Sequence, residues 1–173
     1  MHASFRPVTA VDARQFVRWA YEPPYDIYNM VDDPHDPNLV EAAVNYFLDP
    51  ALPCYVLDGD DEAEILAFCT FGEDAQVPGG DYSLEAVDIG LGVRPDLTGR
   101  GLGQRFVTAV IQFAIQKFQP AYLRVTIAAF NERALRVWQR QGFVVVQQFT
   151  AKVGGKRPFL ILEKELTYTQ ETP

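Results

Sequence analysis

Residues 93–105, which read VRPDLTGRGLGQR, decide how this chain is interpreted. Three glycines stand at alternate positions, Gly99, Gly101 and Gly103, between a strand pattern and the strongest helix pattern of the chain. Glycine allows positive φ and lets a ligand approach the backbone closely. Backbone N–H groups at a helix start also bind anions, helped by the helix dipole. The segment therefore predicts either an anion-binding turn or a plain link between a strand and a helix.

Two familiar phosphate-binding motifs do not fit this turn. The dinucleotide fingerprint would need a glycine at position 104, where the chain has Gln104. A P-loop would need Gly-Lys followed by Ser or Thr where the helix opens, and the chain has no such sequence there. A nucleotide-binding enzyme of either type is therefore disfavoured.

Periodicity and turn residues predict about seven strands and four helices around the glycine-rich turn. The predicted strands are residues 4–9, 53–57, 65–71, 82–93, 122–128, 143–149 and 158–166. The predicted helices are residues 12–21 with Asp12 as N-cap, 38–48, 99–118, and 131–141 closed by Gly142. Because strands and helices alternate in the middle and strands pair at the end, we expect a mixed sheet flanked by helices.

Length and composition are those of an ordinary globular protein. The 173 residues are 48% hydrophobic and 22% charged, without an internal repeat or a linker, so we expect one domain over residues 1–173. Cys54 and Cys69 lack paired metal spacing, and His2 and His35 stand alone, so we predict no disulfide scaffold and no metal. No signal peptide and no membrane-spanning apolar run is present, so we expect a cytoplasmic protein without a membrane partner.

Charge is distributed unevenly along the chain. The net charge of −8 argues against nucleic acid as a partner. Residues 1–90 hold 18 acidic residues against three arginines, whereas residues 91–173 hold 12 basic residues against five acidic ones. We therefore expect the first part to attract a cation and the second part to attract an anion.

The glycine-rich turn resembles the acyl-CoA-binding motif of the GNAT superfamily of N-acetyltransferases. That motif is Arg or Gln, two residues, Gly, any residue, then Gly or Ala, and it falls here on residues 98–103 with Thr98 in first place. The strand DIGLGV at residues 88–93 is similar to the fourth strand of the family. Residues 131–143, NERALRVWQRQGF, are similar to its second motif, in which Asn opens a helix that ends in Gly-Phe. The resemblance implies a GNAT fold, a twisted and mostly antiparallel mixed sheet of six to seven strands with about four helices.

The resemblance also implies where acetyl-CoA binds. The pyrophosphate would lie on the turn and the helix start, and the pantetheine arm would lie between strands 82–93 and 122–128. The implied cofactor-binding residues are Leu91, Val93, Thr98, Gly99, Arg100, Gly101, Leu102, Gly103, Gln104 and Asn131. One N–H at the strand end would stabilise the oxyanion of the thioester. Asn131 has a second interpretation as a simple helix N-cap, and both roles are compatible.

The implied reaction is direct transfer of an acetyl group to an amine, without a covalent enzyme intermediate. The amine must lose a proton before it attacks, so a carboxylate is useful. Asp88 and Glu85 are the candidate catalytic residues, and Asp88 is favoured because it lies where the family often has an acid. In a regular strand these two side chains face opposite sides, so at most one should face the acceptor. Either one has an alternative interpretation as an ordinary solvated or hydrogen-bonded acid.

The sequence departs from the family at Trp138, where many members have a tyrosine that protonates the departing thiolate. An indole N–H is no practical general acid. Water, another tyrosine such as Tyr122, or departure of the thiolate without protonation would take its place, because a thiol has a pKa near ~8.5. Trp138 itself is expected to be a packing residue or a wall of the acyl pocket.

The resemblance also implies that the segment between the first two helices lines the acceptor site. Tyr25 and Tyr28 are the candidate substrate-binding residues, in a stretch that also holds Tyr21 and several aspartates. Aromatic faces and carboxylates together suit a cationic amine, although these side chains also fit an exposed acidic loop with tyrosines against the core. The predicted function is acetyl transfer to a cationic amine by a monomer or homodimer. The alternative is a catalytically silent module that senses acetyl-CoA.

Overall fold

A computed structural model describes residues 5–59, 64–152 and 154–168. Within them the chain forms seven strands: β1 Phe5–Pro7, β2 Cys54–Asp58, β3 Ile65–Phe71, β4 Val87–Val93, β5 Tyr122–Ala128, β6 Val144–Thr150 and β7 Pro158–Glu165. It also forms four α-helices: α1 Ala10–Phe16, α2 Pro37–Phe47, α3 Gly103–Phe118 and α4 Glu132–Arg140. His2, Ser4 and the predicted turn at Asp60 and Asp61 lie outside the described residues.

The strands form one mixed sheet in the order β1-β2-β3-β4-β5-β7-β6. Only β4 and β5 pair in parallel; the other neighbours are antiparallel. The predicted fold class is confirmed, with a mostly antiparallel sheet and helices on its faces.

Each face of the sheet carries its own apolar core. The core under α1 and α2 contains Phe16, Phe47 and Phe68, whose rings pack edge-to-face or stacked with centroids 4.2–5.8 Å apart. The core under α3 and α4 contains Val107 and Trp138 together with the inward residues of β3, β4 and β5. Because side chains alternate along a strand, β2 and β3 each supply buried residues to both cores. The site described below opens between β4 and β5 and reaches both cores.

Two helices begin elsewhere than the sequence predicts. Thr9, not Asp12, is the N-cap of α1, and Asp12 completes a capping box from inside the helix, which ends at Phe16 instead of near Tyr21. The third helix begins at Gly103 instead of position 99, because Gly99 and Gly101 adopt φ values of 71° and 75° that no α-helix accepts.

The strand predicted from residue 82 begins only at Val87. The preceding residues make side-chain contacts instead of a ladder: the Tyr82 hydroxyl accepts a hydrogen bond from the Val77 N–H, and Asp81 accepts one from the Ser83 N–H. The first two residues of β4 pair with β5, and the later residues of the two strands do not.

Strand β6 forms one edge of the sheet and exposes three consecutive valines, Val144, Val145 and Val146. The oligomeric state expected from the sequence, a monomer or a homodimer, stays a prediction. Among the described helices, none combines the length and apolar character needed to cross a bilayer.

Candidate active site

The sheet splits between β4 and β5. These parallel strands pair only at Val87 with Leu123 and at Asp88 with Arg124, after which the paired register ends. A cavity of about 980 Å³ lies along the split and is lined by later residues of both strands. It is also lined by Phe68 from the α1 and α2 side, and by Val107 from the α3 and α4 side. The cavity therefore connects the two faces of the sheet.

One backbone edge of β4 faces this gap. The Asp88 carbonyl accepts a hydrogen bond from the Gly72 N–H, and the Arg94 N–H donates to the Leu66 carbonyl, so even-numbered residues pair toward β3. Backbone groups alternate along a strand, which turns those of Leu91 and Val93 toward the gap. Both predicted residues line the cavity, as the pantetheine prediction requires.

The glycine-rich turn closes one end of the cavity. Thr98, Gly99, Gly101, Gly103 and Gln104 line it, whereas the predicted residues Arg100 and Leu102 do not. Leu102 packs against the core as N-cap of α3 and supplies no side-chain cap. Within the described chain, no protein group accepts a hydrogen bond from the backbone N–H groups of residues 99–104. Unpartnered N–H groups at a helix start form an anion site.

Helix α4 adds positive charge to the same end. Arg133, Arg136 and Arg140 line the cavity, and the Arg133 guanidinium lies beside Gly99. Asn131 caps this helix, since its Oδ1 accepts a hydrogen bond from the Ala134 N–H at 3.1 Å, and it also lines the cavity. The capping interpretation of Asn131 is confirmed, and its contact with a cofactor stays a prediction.

The two predicted catalytic acids lie outside the cavity. Asp88 is 2% exposed and pairs with Arg124, whose Nε and Nη2 donate to its two carboxylate oxygens at 2.6 and 2.8 Å. The Gln76 amide donates to the same carboxylate at 2.9 Å. Glu85 is exposed and precedes β4. Neither carboxylate lines the cavity, and that of Asp88 is occupied by Arg124 and Gln76, so the base role of these two acids stays a prediction that the cavity geometry does not favour.

An aromatic segment, residues 21–30 (YEPPYDIYNM), spans the cavity mouth. The Tyr21 hydroxyl donates to the Val93 carbonyl at 2.8 Å, and the Tyr28 hydroxyl accepts from Asn131 Nδ2 at 3.2 Å. The Tyr25 ring lies under the Arg133 guanidinium, with 4.1 Å between the ring centroid and Cζ. All three tyrosines line the cavity. The segment is therefore tied to β4 on one side of the gap and to α4 on the other.

Among the described residues, the acidic residues that line the cavity are Glu22 and Asp74. The aspartates of residues 26–36 do not line the cavity. Asp33 and Asp36, for example, accept hydrogen bonds from the backbone N–H groups of His35 and Asn38. Asp74 lies on a short 3-10 turn after β3, and sequence reasoning missed it. Its position directly after a buried strand was the only available signal.

Two further sequence expectations concern the proton donor. Trp138 is buried, lines the cavity and packs edge-to-face on Phe143 with centroids 4.9 Å apart, so it is both a packing residue and a wall. Tyr122 lies at the start of β5 and does not line the cavity. Within the described residues, no three metal-ligating side chains lie together.

The sequence matches the acetyltransferase (GNAT) family over residues 13–143. The match spans more than half of the chain, so this protein belongs to that family and is an acetyltransferase. This confirms the resemblance carried by the glycine-rich turn. A search of curated proteins found no match.

Solved structures share the fold over nearly the whole chain. A chimaera of spermidine N-acetyltransferase SpeG from Vibrio cholerae and hSSAT superposes with a TM-score of 0.70 at 14% identity, covering 95% of this chain and 96% of that one. The structure of yncA from Salmonella typhimurium with its cofactor acetyl-CoA gives 0.65 at 15% identity, covering 98% and 97%. A dodecameric spermidine N-acetyltransferase from Vibrio cholerae gives 0.65 at 12% identity, covering 95% and 94%.

Proposed function

We propose that this protein transfers an acetyl group from acetyl-CoA to a cationic primary amine by direct attack in a ternary complex. The observation that carries the proposal is the split between β4 and β5, along which one cavity joins the basic, N–H-rich glycine turn to Asp74 on the α2 side of the sheet. Two substrates entering from opposite ends would meet at the strand edge.

The cofactor end fits the anionic donor. Acetyl-CoA carries phosphates, and the free N–H groups of residues 99–104 together with Arg133, Arg136 and Arg140 would neutralise them. The pantetheine arm would pair with the backbone of Leu91 and Val93, which faces the gap. A backbone N–H of this edge would polarise the thioester carbonyl, and one such preorganised donor is worth ~3 kcal/mol in the transition state.

The acceptor end fits a positively charged group. Glu22 and Asp74 are the cavity-lining acids, and the cavity-lining arginines all lie on α4. Aromatic side chains of the same end, Tyr21 and Phe68 among them, provide apolar contact for the carbon chain of the amine. The acceptor class is therefore a small amine, a polyamine, an aminoglycoside-like compound or a basic peptide terminus.

The test is release of free thiol from acetyl-CoA over a panel of cationic and neutral amines at low and high salt. We expect cationic amines to react faster, with a preference that shrinks at high salt because charge attraction is screened. Equal use of neutral and cationic amines at both salt concentrations would contradict the acceptor class. Binding of acetyl-CoA without thiol release from any amine would favour the silent sensor instead.

A further inference from the structure

We infer that Asp74 receives the ammonium group of the acceptor and removes the proton that the amine must lose before it attacks. This inference deepens the proposed function and rests on it. It assigns to the turn after β3 the task that the sequence assigned to the strand residues Asp88 and Glu85.

Asp74 lies beside the part of β4 that borders the gap. A Cβ added to Gly90 would lie 2.5 Å from Thr70 Oγ1 and 3.5 Å from the Ala75 Cβ, so this turn packs directly over Gly90. The Thr70 hydroxyl donates to Asp74 Oδ2 at 2.6 Å. Thr70, Asp74, Ala75 and Gly90 all line the cavity. The carboxylate is thus held over the strand whose odd-numbered backbone groups face the gap.

The geometry of the carboxylate is set by two hydroxyl groups. The Tyr46 hydroxyl on α2 donates to Oδ1 at 2.5 Å, opposite the Thr70 contact on Oδ2. This bond to Asp74, together with partial burial, raises the pKa of Tyr46 to about 12, so the phenol stays a donor. Each carboxylate oxygen has a second lone pair, which leaves room for an ammonium donor.

Asp74 has no cationic partner in the part of the chain that the structure describes. No Lys, Arg or His nitrogen lies within 4.0 Å of its oxygens, unlike Asp12, Asp88 and Asp96, each of which pairs with an arginine. A half-buried carboxylate facing a cavity without a counter-ion attracts one from solution. The ammonium of the acceptor would supply it.

The step balances as follows. The ammonium transfers one proton to the Asp74 carboxylate, and the freed nitrogen lone pair attacks the thioester carbonyl. The C–N bond forms, the C–S bond breaks, and the second nitrogen proton leaves with the thiolate, directly or through water. Deprotonation of Asp74 to solvent then restores the site, and the products are the acetamide and the free thiol of CoA.

The experiment compares Asp74→Asn with Glu73→Gln, a matched control that removes the same charge from an exposed neighbour outside the cavity. Acetyl-CoA affinity and thermal unfolding show that both variants are folded. We expect Asp74→Asn to lower kcat/KM for spermidine by about 10²–10⁴-fold, the usual contribution of acid–base catalysis. Aniline is uncharged at neutral pH and loses no proton before it attacks, so its rate of acetylation should persist in Asp74→Asn. Equal spermidine rates in the two variants would overturn the inference.

A binding measurement separates this inference from the proposed function. Spermidine is titrated calorimetrically into protein saturated with CoA, and we expect about tenfold or greater weakening in Asp74→Asn, as for loss of a hydrogen bond to a charged group. If the unmodified protein releases no thiol but the binding loss appears, the proposed function fails and the ammonium site stands. Unchanged binding in Asp74→Asn would overturn the site.

Discussion

Asp88 and Arg124 face each other in the last paired register of β4 and β5, and their ion pair fastens the strands just before they separate. Both side chains are nearly inaccessible to solvent. Tyr82 stacks over the guanidinium, with 4.9 Å between Cζ and the ring centroid, and its hydroxyl bonds Thr126 Oγ1 at 2.9 Å. The ion pair therefore fixes the point at which β4 and β5 begin to separate, and its role is structural.

Asp88→Asn is expected to lower the free energy of unfolding by about 3–5 kcal/mol, because it leaves the Arg124 charge buried without a full counter-charge. Arg124→Gln, which removes the other charge of the pair, should lower the free energy of unfolding by a similar amount. Urea unfolding of both variants measures the loss. A stable Asp88→Asn protein with a lost kcat would instead identify Asp88 as the base.

Gly92→Ala is expected to destabilise the fold by about 1–3 kcal/mol through overpacking. A Cβ at this position would lie 2.1 Å from the Phe68 ring, which stacks on Phe16 at 4.2 Å and cannot retreat into the core. Gly103→Ala is the control, because its nearest neighbour is Val137 at 3.4 Å, an ordinary contact. Thermal unfolding of the two variants should differ, and equal midpoints would contradict this explanation of the glycine.

At the scale of elements, the aromatic segment connects β4 to the start of α4 across the gap. Its one direct bond to β4 is the Tyr21 hydroxyl on the Val93 carbonyl, and burial raises the pKa of Tyr21 well above its ordinary value. The phenol is therefore a permanent donor to that strand. The placement of the segment over the gap depends on this contact and on the contacts of Tyr25 and Tyr28 with α4.

Tyr21→Phe is expected to raise the KM of the acceptor about two- to tenfold, the range for loss of one hydrogen bond. Acetyl-CoA affinity should change less, because the N–H groups of the glycine-rich turn are untouched. Tyr168→Phe is the matched control: its hydroxyl donates to the Pro120 carbonyl at 2.8 Å, away from the cavity. Similar acceptor KM values in both variants would show that the segment needs no anchor on β4.

At the scale of the whole molecule, one ionic cluster ties the N-terminal elements together. Arg6 on β1 binds Asp12 of α1 and Asp58 of β2, each at 2.7 Å. Burial alone would raise the pKa of Asp12, but hydrogen bonds from Arg6 and Thr9 outweigh it and hold that pKa below its ordinary value. The folded state therefore binds this proton less readily than the unfolded state.

The stabilisation that Asp12 contributes is therefore fully present above the pKa of an unfolded Asp, about 3.9, and is lost as pH falls from there through the lower folded pKa. Urea unfolding as a function of pH should show a decline below about pH 4 that Asp12→Asn reduces. Asp26→Asn removes an exposed acid that has no cation within 4.0 Å among the described residues, and it is the control. An unchanged acid slope in Asp12→Asn would contradict the assignment.

Local features of the fold were predictable because they depend on neighbours in the chain. Strands 65–71 and 122–128 have the bounds that their apolar patterns predict, and Asn131 caps α4 as its residue type favours. The start of α3 was misplaced because the pattern alone does not reveal that Gly99 and Gly101 take positive φ. The likeness of the turn to a known family was recognisable from the sequence because the motif lies within one continuous segment, whereas the arginines of α4 reach the same end only in the fold.

The sequence by itself determined the elements, the glycine-rich turn and the family, since each is encoded in residues within a few turns of chain. Only the tertiary structure decided which acids line the cavity. Asp88 was expected in the site, but the parallel register places Arg124, 36 residues away, directly against it. Asp74 had only the weak signal of its position after a buried strand, because its place at the cavity depends on the absence of a side chain at Gly90 and on hydroxyl groups from two other elements. Charge pairing and cavity shape depend on contacts between segments that are far apart in the sequence, and a local sequence pattern does not contain that information.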